Sequence, residues 1–471
     1  MPTILLTGAT GYIGRRLEKI LRQRQQITLR LLVRNAKKLS TATRQQAEVI
    51  EGDTFSPKSL RQALTGVDVA FYLIHSMGSG EDFSRLDRIS AENFLLACKE
   101  CGVRRIIYLG GLGHPGSVSK HLASRMETGA ILSSMPLEVQ TIWFRAGVII
   151  GSGSTSFEII RHLVEKLPLM VTPRWVRTMT QPIGINDVLA YLTAAIDLDY
   201  QENIVIDIGM PAMRFMDMLH QTAETMGLRR IILPVPLLSP KLSSYWLAFM
   251  TPVPYRIAAA LVEGLKSPTL LENDHAQRFF PDIHPAPFPA AVRQAAMELE
   301  HDQVLSRWCD ATPGSVCDIS DQAQHNQLVY RDIQTTSFTG VVPEQVFASL
   351  CSIGGENGWL AHDNLWRLRG FLDKMIGGCG LNRGRRHSEE LRIGDAVDFW
   401  TVVDLIPNKR LLLQAQMKLP GKAWLEFAIQ SDTLVQTAHF IPHGLWGRLY
   451  WYAVLPFHSR IFPRLSKKII E

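Results

Sequence analysis

The stretch Thr3–Gln23, TILLTGATGYIGRRLEKILRQ, leaves the chain few choices of fold. Ile4-Leu5-Leu6 is a short apolar run, as in a strand buried on both faces. Gly8, Gly11 and Gly14 follow at G-x-x-G-x-x-G spacing. Ile13, Leu17, Ile20 and Leu21 then recur at helical spacing, with Arg15, Arg16, Lys19 and Arg22 off that face. A glycine-rich turn between a buried strand and a helix N-terminus suits a dinucleotide pyrophosphate. Without Cβ atoms the backbone approaches the phosphates, and the helix end offers unpaired N–H groups and the positive end of its dipole. The plain alternative is a tight turn with no ligand. The strand–turn–helix context, at the head of further alternating strands and helices, favours the dinucleotide.

The second strand, Thr28–Val33, runs into Arg34, with Lys37 and Lys38 close behind. An acid here would bond the adenosine ribose hydroxyls, whereas an arginine suits a 2′-phosphate. Three cations and no acid favour NADP, with NAD as the alternative; a merely solvated basic loop is the plain reading. A third strand, about Ala47 to Glu51, ends at Gly52-Asp53. Asp53 either reaches the adenine amino group or only starts the turn before Pro57. A fourth strand, Asp68 to Leu73, delivers Ile74-His75-Ser76-Met77 to the crevice where open α/β sheets bind ligands. A helix from about Asp82 to Cys101 leads to a fifth strand, Arg104 to Leu109, and a sixth runs from Val139 to Arg145. This alternation predicts an α/β fold, a doubly wound parallel Rossmann sheet with right-handed crossovers.

TGATGYIG, the Asp53 strand end, AENFLLACKECGVRRIIYL, FRAGVIIG and QPIGINDV, in that order, resemble the extended and atypical short-chain dehydrogenase/reductases over about residues 1–300. HSMGSGEDF, SKHLASRMETGAIL, GSGSTSFEIIRHL and PRWVRTMTQPI resemble an atypical subgroup of bacterial two-domain NAD(P)-binding proteins. A more distant likeness is to an accessory subunit of respiratory complex I. The resemblance implies cofactor contacts from Gly8, Thr10, Gly11, Tyr12, Ile13, Gly14, Arg34, Asp53, His75 and Arg145. Active relatives carry a Ser or Thr after the fifth strand and Tyr-x-x-x-Lys on the next helix. Here the strand runs into Leu109-Gly110-Gly111-Leu112-Gly113, and the helix offers His121-Leu122-Ala123-Ser124-Arg125. In one reading His121 exchanges the proton, Arg125 replaces the lysine, and Ser119 or Ser124 supplies a hydroxyl. Imidazole suits this, since its reference pKa of about 6.5 lies near neutrality. In the other, catalysis is lost and Arg125 binds cofactor or pairs with Glu127.

From about residue 151 a small substrate-side cap is expected, rich in apolar residues such as Leu167, Met170, Trp175 and Phe215, and implying a large nonpolar guest. Tyr245–Leu265, broken by Pro252 and Pro254, reads as two short helices. The first domain is expected to span 1–310, with a polar linker at 311–328. After it, over 329–471, strand, helices, antiparallel strands and a long C-terminal helix follow the order of the α+β helix-grip fold. GGENGWL, LRIGDAVDFW, MKLPGKAWLEF and GLWGRLYWYAVLPFHSRIF match a domain of unknown function, and the resemblance is to the START-like superfamily. It implies an apolar ligand, with Trp400, Met417, Trp424, Phe427 and Phe440 as liners; a packed core is the alternative.

The chain has a formal charge of +6, which suits phosphate-bearing ligands or an anionic membrane surface. No Lys/Arg block is interleaved with aromatics, so no nucleic-acid partner is expected. No signal peptide or spanning segment is read, and the location expected is cytoplasmic, with the inner face of the membrane as an option. The aromatic run Trp446–Phe462, with Arg448, Arg460, Lys467 and Lys468, suggests an interfacial helix and peripheral membrane contact, and Pro456 is expected to interrupt it. Cys98 and Cys101 have C-x-x-C spacing but no second pair, so no metal is expected. Two functions are carried forward. One is an NADP-preferring oxidoreductase acting on a hydrophobic carbonyl, enone or quinone-like compound. The other is a non-catalytic NADP(H)-binding sensor, or an accessory subunit within a larger complex.

Overall fold

A computed structural model describes residues 1–75, 83–113, 119–235, 263–264, 267–300, 330–376, 378–381, 385, 387–430, 432–442 and 444–471. Ser76, Met77, most of Tyr245–Leu265 and the 311–328 linker lie outside them. The chain divides into two compact units. The described residues up to 300 belong to the first and those from Tyr330 onward to the second.

The first unit is built on seven parallel strands. Those that matter for the site are β1 (Thr3–Thr7), β2 (Thr28–Val33), β3 (Glu48–Glu51), β4 (Val69–Tyr72), β5 (Arg105–Gly111) and β6 (Gln140–Ala146). The sheet runs β3-β2-β1-β4-β5-β6, with Ile204–Ile208 beyond β6. Helices α1 (Tyr12–Arg22), α2 (Thr41–Gln46), α3 (Pro57–Leu64), α4 (Phe83–Glu100) and α5 (Lys120–Leu132) connect them. The order reverses between β1 and β4, so their carboxyl ends flank the crevice where such sheets bind ligands. Side chains alternate along each strand. Ile4 and Leu6 therefore enter one buried cluster with Val69 and Phe71, while Leu5 enters another with Ala70 and Tyr72. Thr7 locks β1 to β4: its Oγ1 donates to Phe71 O at 2.8 Å and accepts from Leu73 N.

Arg105, fully buried at the start of β5, donates to Gln140 Oε1 and to the carbonyls of Ala195, Ile196, Leu198 and Tyr200. One guanidinium thus satisfies a loop that no strand pairs. Burial lowers its pKa to about 10.

The second unit is a separate antiparallel sheet of six strands. Its order is Tyr330–Ser337, Thr433–Pro442, Gly421–Gln430, Arg410–Ala415, Trp400–Ile406 and Ala396–Val397. The helix Pro343–Ser352 starts at its proline, whose fixed φ suits the first helical position. Val346 and Leu350 join Phe427, Phe440 and residues of the C-terminal helix Gly444–Ile470 in one core. Trp359 stacks on Trp366 with ring centroids 4.4 Å apart, and its Nε1 donates to buried Asp398 at 2.7 Å. Two expectations need correction. Trp424 does not share a face with Phe427: three positions apart on one strand, they point oppositely, and Trp424 clusters with Val403, Leu412 and Ile441. Pro456 does not interrupt the last helix, which runs through both Pro456 and Pro463.

Candidate functional site

The turn after β1 is a cradle that tolerates no side chain at Gly8 or Gly14. Gly8 has φ +71°, a left-handed conformation, and a Cβ there would lie 2.5 Å from Leu73 O. At Gly14 a Cβ would lie 2.1 Å from Gly8 O. Gly11 N donates to Gly8 O at 2.9 Å, which closes the turn. Gly11 then caps α1 with no side-chain hydrogen bond, so no capping side chain shields the helix N-terminus. The cradle is thus of a kind that fits a dinucleotide pyrophosphate. Thr10 and Ile13 are half-buried, and Ile13 packs on the core. Tyr12 turns away toward Ser154, and burial raises its hydroxyl pKa far above the ordinary value.

At the end of β2, Arg34 is exposed and Lys38 lies beside Arg15, whose Nη2 donates to the Lys38 carbonyl at 3.5 Å. The side chain of Lys37 lies outside the described part. Asp53 acts as a turn former: its Oδ1 accepts from Phe55 N at 3.1 Å and from Thr54 Oγ1 at 3.4 Å. Arg145, expected among the cofactor contacts, is taken up elsewhere. It is buried and bonded to both oxygens of Asp207, at 2.6 and 2.8 Å, and to Glu272 at 2.9 Å.

The structure brings His75, Ser124 and His121 together around a residue that sequence reasoning missed. Asp87 sits on the buried face of α4, in line with Phe83, Ser90, Ala91 and Phe94. Its Oδ2 meets His75 Nδ1 at 2.9 Å and accepts from Ser124 Oγ at 3.0 Å. The pairing makes His75 Nδ1 the protonated nitrogen and leaves Nε2 a bare acceptor. That Nε2 is buried with no hydrogen-bond partner among the described residues. His121 stacks on Phe83, centroids 4.2 Å apart, and stands edge-on to His75 at 6.4 Å. Its Nδ1 is likewise buried and unpaired among the described residues. Burial lowers the pKa of both imidazoles; Asp87 partly opposes this at His75, and the neighbouring His75 lowers His121 further. Both rings are therefore neutral at pH 7. An acid on an otherwise apolar helix face was the sequence signal for Asp87.

Other residues of the α5 segment are engaged in hydrogen bonds and ion pairs. Ser119 caps the helix by accepting from Leu122 N. Arg125 donates to Leu109 O at 2.9 Å, while Tyr108 Oη, its pKa pushed up to about 12 by burial, donates to the Arg125 carbonyl. Glu127 pairs with Arg88, not with Arg125. Among the described residues no group of three His, Cys, Asp or Glu is placed to hold a metal.

Residues 8–134 match a family described as NAD(P)H-binding, and residues 325–465 match one described as a protein of unknown function (DUF2867). No curated protein matches the sequence. Among solved structures, a triphenylmethane reductase from Citrobacter sp. is 22% identical at TM-score 0.52, the match covering 63% of this chain and 99% of that one. The same reductase complexed with NADP(H) is 21% identical at TM-score 0.51, over 62% and 99%. A nucleoside-diphosphate-sugar epimerase from Staphylococcus aureus is 18% identical at TM-score 0.52, over 62% and 100%. These likenesses are of fold: the first unit has the NAD(P)-binding Rossmann fold.

Proposed function

We propose that the chain is an NADPH-preferring oxidoreductase acting on a hydrophobic carbonyl, enone or quinone-like acceptor. The observation that carries this reading is the His75–Asp87 pair with His121 beside it, at the carboxyl end of the strand next to the glycine turn. The glycine cradle supports a pyrophosphate site, and Arg34 supports a 2′-phosphate. The likeness to a reductase complexed with NADP(H) agrees with both. A bound nicotinamide would supply the reducing equivalents. The chain's own part is the proton. His121, the less deeply buried imidazole, exchanges it with the acceptor oxygen. His75, fixed in one tautomer by Asp87, stands behind with a free lone pair that can only take a proton, so His121 is recharged with a proton from solvent before each reduction. Arg125 donates one N–H to the Leu109 carbonyl, which supports a part in positioning α5 over a part in place of the lysine of the resembled family.

The second unit is read as a START-like helix-grip domain that holds or delivers the apolar compound. Its support is the antiparallel sheet with one apolar face gathered against the long C-terminal helix. Trp359, Trp366, Phe399 and Trp400 fill part of that core with rings in stacked and tilted contact, which favours a packed interior at that end. The same loss of Ser and Tyr-x-x-x-Lys that makes the histidines necessary also fits the non-catalytic sensor or accessory subunit.

Calorimetric titration of nucleotide-free protein with NADPH and then NADH tests the reading, followed by a turnover screen against apolar carbonyls and quinones. Tight NADPH, weaker NADH and turnover lost in His121→Phe are expected, with binding abolished in Gly14→Ala. Binding of neither nucleotide overturns the reading. Tight binding without turnover of any acceptor transfers it to the sensor.

A further inference from the structure

The second unit carries an apolar surface that its own core does not use. The C-terminal helix Gly444–Ile470 buries Trp451, Ile461, Phe462, Leu465 and Ile469 in the core. Yet Trp446, Leu449, Tyr452 and Phe457 point outward, Trp446 with 77% of its surface exposed. The helix Asp363–Met375 repeats the pattern with Leu368, Leu372 and Met375, the last 65% exposed. The two helices are tied at two points. Arg369 donates to Tyr450 Oη at 3.3 Å with its guanidinium 5.8 Å from that ring, and Arg464 meets His362 Nε2 at 3.0 Å. A helix apolar on two opposite faces is either buried all round or lies at an interface.

The charges say which interface. The C-terminal helix has no Asp or Glu in its 27 residues. Its cations, Arg448, Arg460, Arg464, Lys467 and Lys468, are all exposed, and among the described residues their ion pairing is confined to Glu471, which pairs with Lys468 and also feels Lys467. A second copy of this face would set these cations against each other, which costs free energy. An anionic lipid surface accepts both parts: apolar side chains enter the headgroup boundary and the cations meet lipid phosphates. Among the described residues no helix is long and apolar enough to cross a membrane. We propose that this face docks the chain on an anionic lipid surface, with the C-terminal helix lying in the membrane plane. The proposal stands whether or not the first unit turns over a substrate.

Flotation of the full chain with vesicles tests it, using phosphatidylcholine alone and phosphatidylcholine mixed with phosphatidylglycerol, at low and high salt. Binding to the mixed vesicles only, weakened by salt, is expected. Lys467→Ser with Lys468→Ser should lower it about thirtyfold at low salt, from the typical worth of a surface cation near anionic lipid. Trp446→Ser with Leu449→Ser should abolish it while circular dichroism stays unchanged. No binding to either vesicle, or equal binding to both, would overturn the proposal. So would a dimer in light scattering that the Trp446→Ser, Leu449→Ser variant dissolves, since a second copy would then be the occupant.

Discussion

Replacing Asp87 with asparagine should loosen His75 while leaving the shape of the site intact. Asp87 Oδ2 holds two donors, His75 Nδ1 at 2.9 Å and Ser124 Oγ at 3.0 Å, and the carboxyl is buried. A hydrogen bond to a charged group contributes roughly 1.5–3 kcal/mol and a neutral one roughly 0.5–1.5 kcal/mol. Exchanging two of the first kind for two of the second withdraws about 2 kcal/mol from the first unit. The carboxylate also opposes the burial that lowers the His75 pKa, so its loss moves that pKa further down. Hydrogen exchange of core amides in β1, β4 and β5 would report the first. Nitrogen-labelled histidine in NMR would report the second, together with the tautomer: Nδ1–H with bare Nε2 in the wild type, and a shift toward Nε2–H in the variant. Finding Nε2–H at His75 in the wild type, or no change in either measurement on substitution, refutes the assignment of Asp87 as the group that holds His75.

Two further predictions concern the first unit. Arg34→Asp should weaken NADPH by roughly 10- to 100-fold, the worth of a hydrogen bond to a charged group, and spare NADH; an unchanged preference by calorimetry removes the 2′-phosphate role. Burial holds the pKa of His75 and His121 below the ordinary histidine value of about 6.5, so as pH falls below that value the unfolded chain takes up protons before the folded one. Stability is therefore full above about pH 6.5 and declines as pH falls through the lowered folded values; an opening free energy of first-unit amides, corrected for the intrinsic exchange rate, that stays flat from about pH 7 to about pH 5 would contradict this.

The strand–turn–helix head and the alternation after it were legible because they rest on local periodicity, and the expected strand ends moved by only a residue or two. The site was legible in part. His121 and Ser124 fall where the helix pattern puts them, and His75 stands at the end of β4. What joins them is Asp87, whose meaning depends on the packing of α4 against α5. Arg145 shows the opposite failure. It stands at a strand end, as a cofactor arginine would, but its partner Asp207 lies across the register of the neighbouring strand, 62 residues on. A one-dimensional pattern does not contain that pairing. Trp424 was misplaced for a simpler reason, an apolar run read without its alternation.

Arg16 gives the glycine turn a mechanical attachment. It lies one turn into α1, buried, with its guanidinium 5.2 Å from the Tyr12 ring. Its Nη2 reaches Ser152 O at 2.9 Å, Ser152 Oγ at 2.7 Å and Glu298 Oε2 at 3.0 Å. Glu298 belongs to the helix Phe288–Glu300, the last described element before the chain passes to its second unit. The helix after the glycine turn and the helix Phe288–Glu300 are thus latched by one cation. Glu298→Gln takes the charge out of that latch without touching the cradle itself.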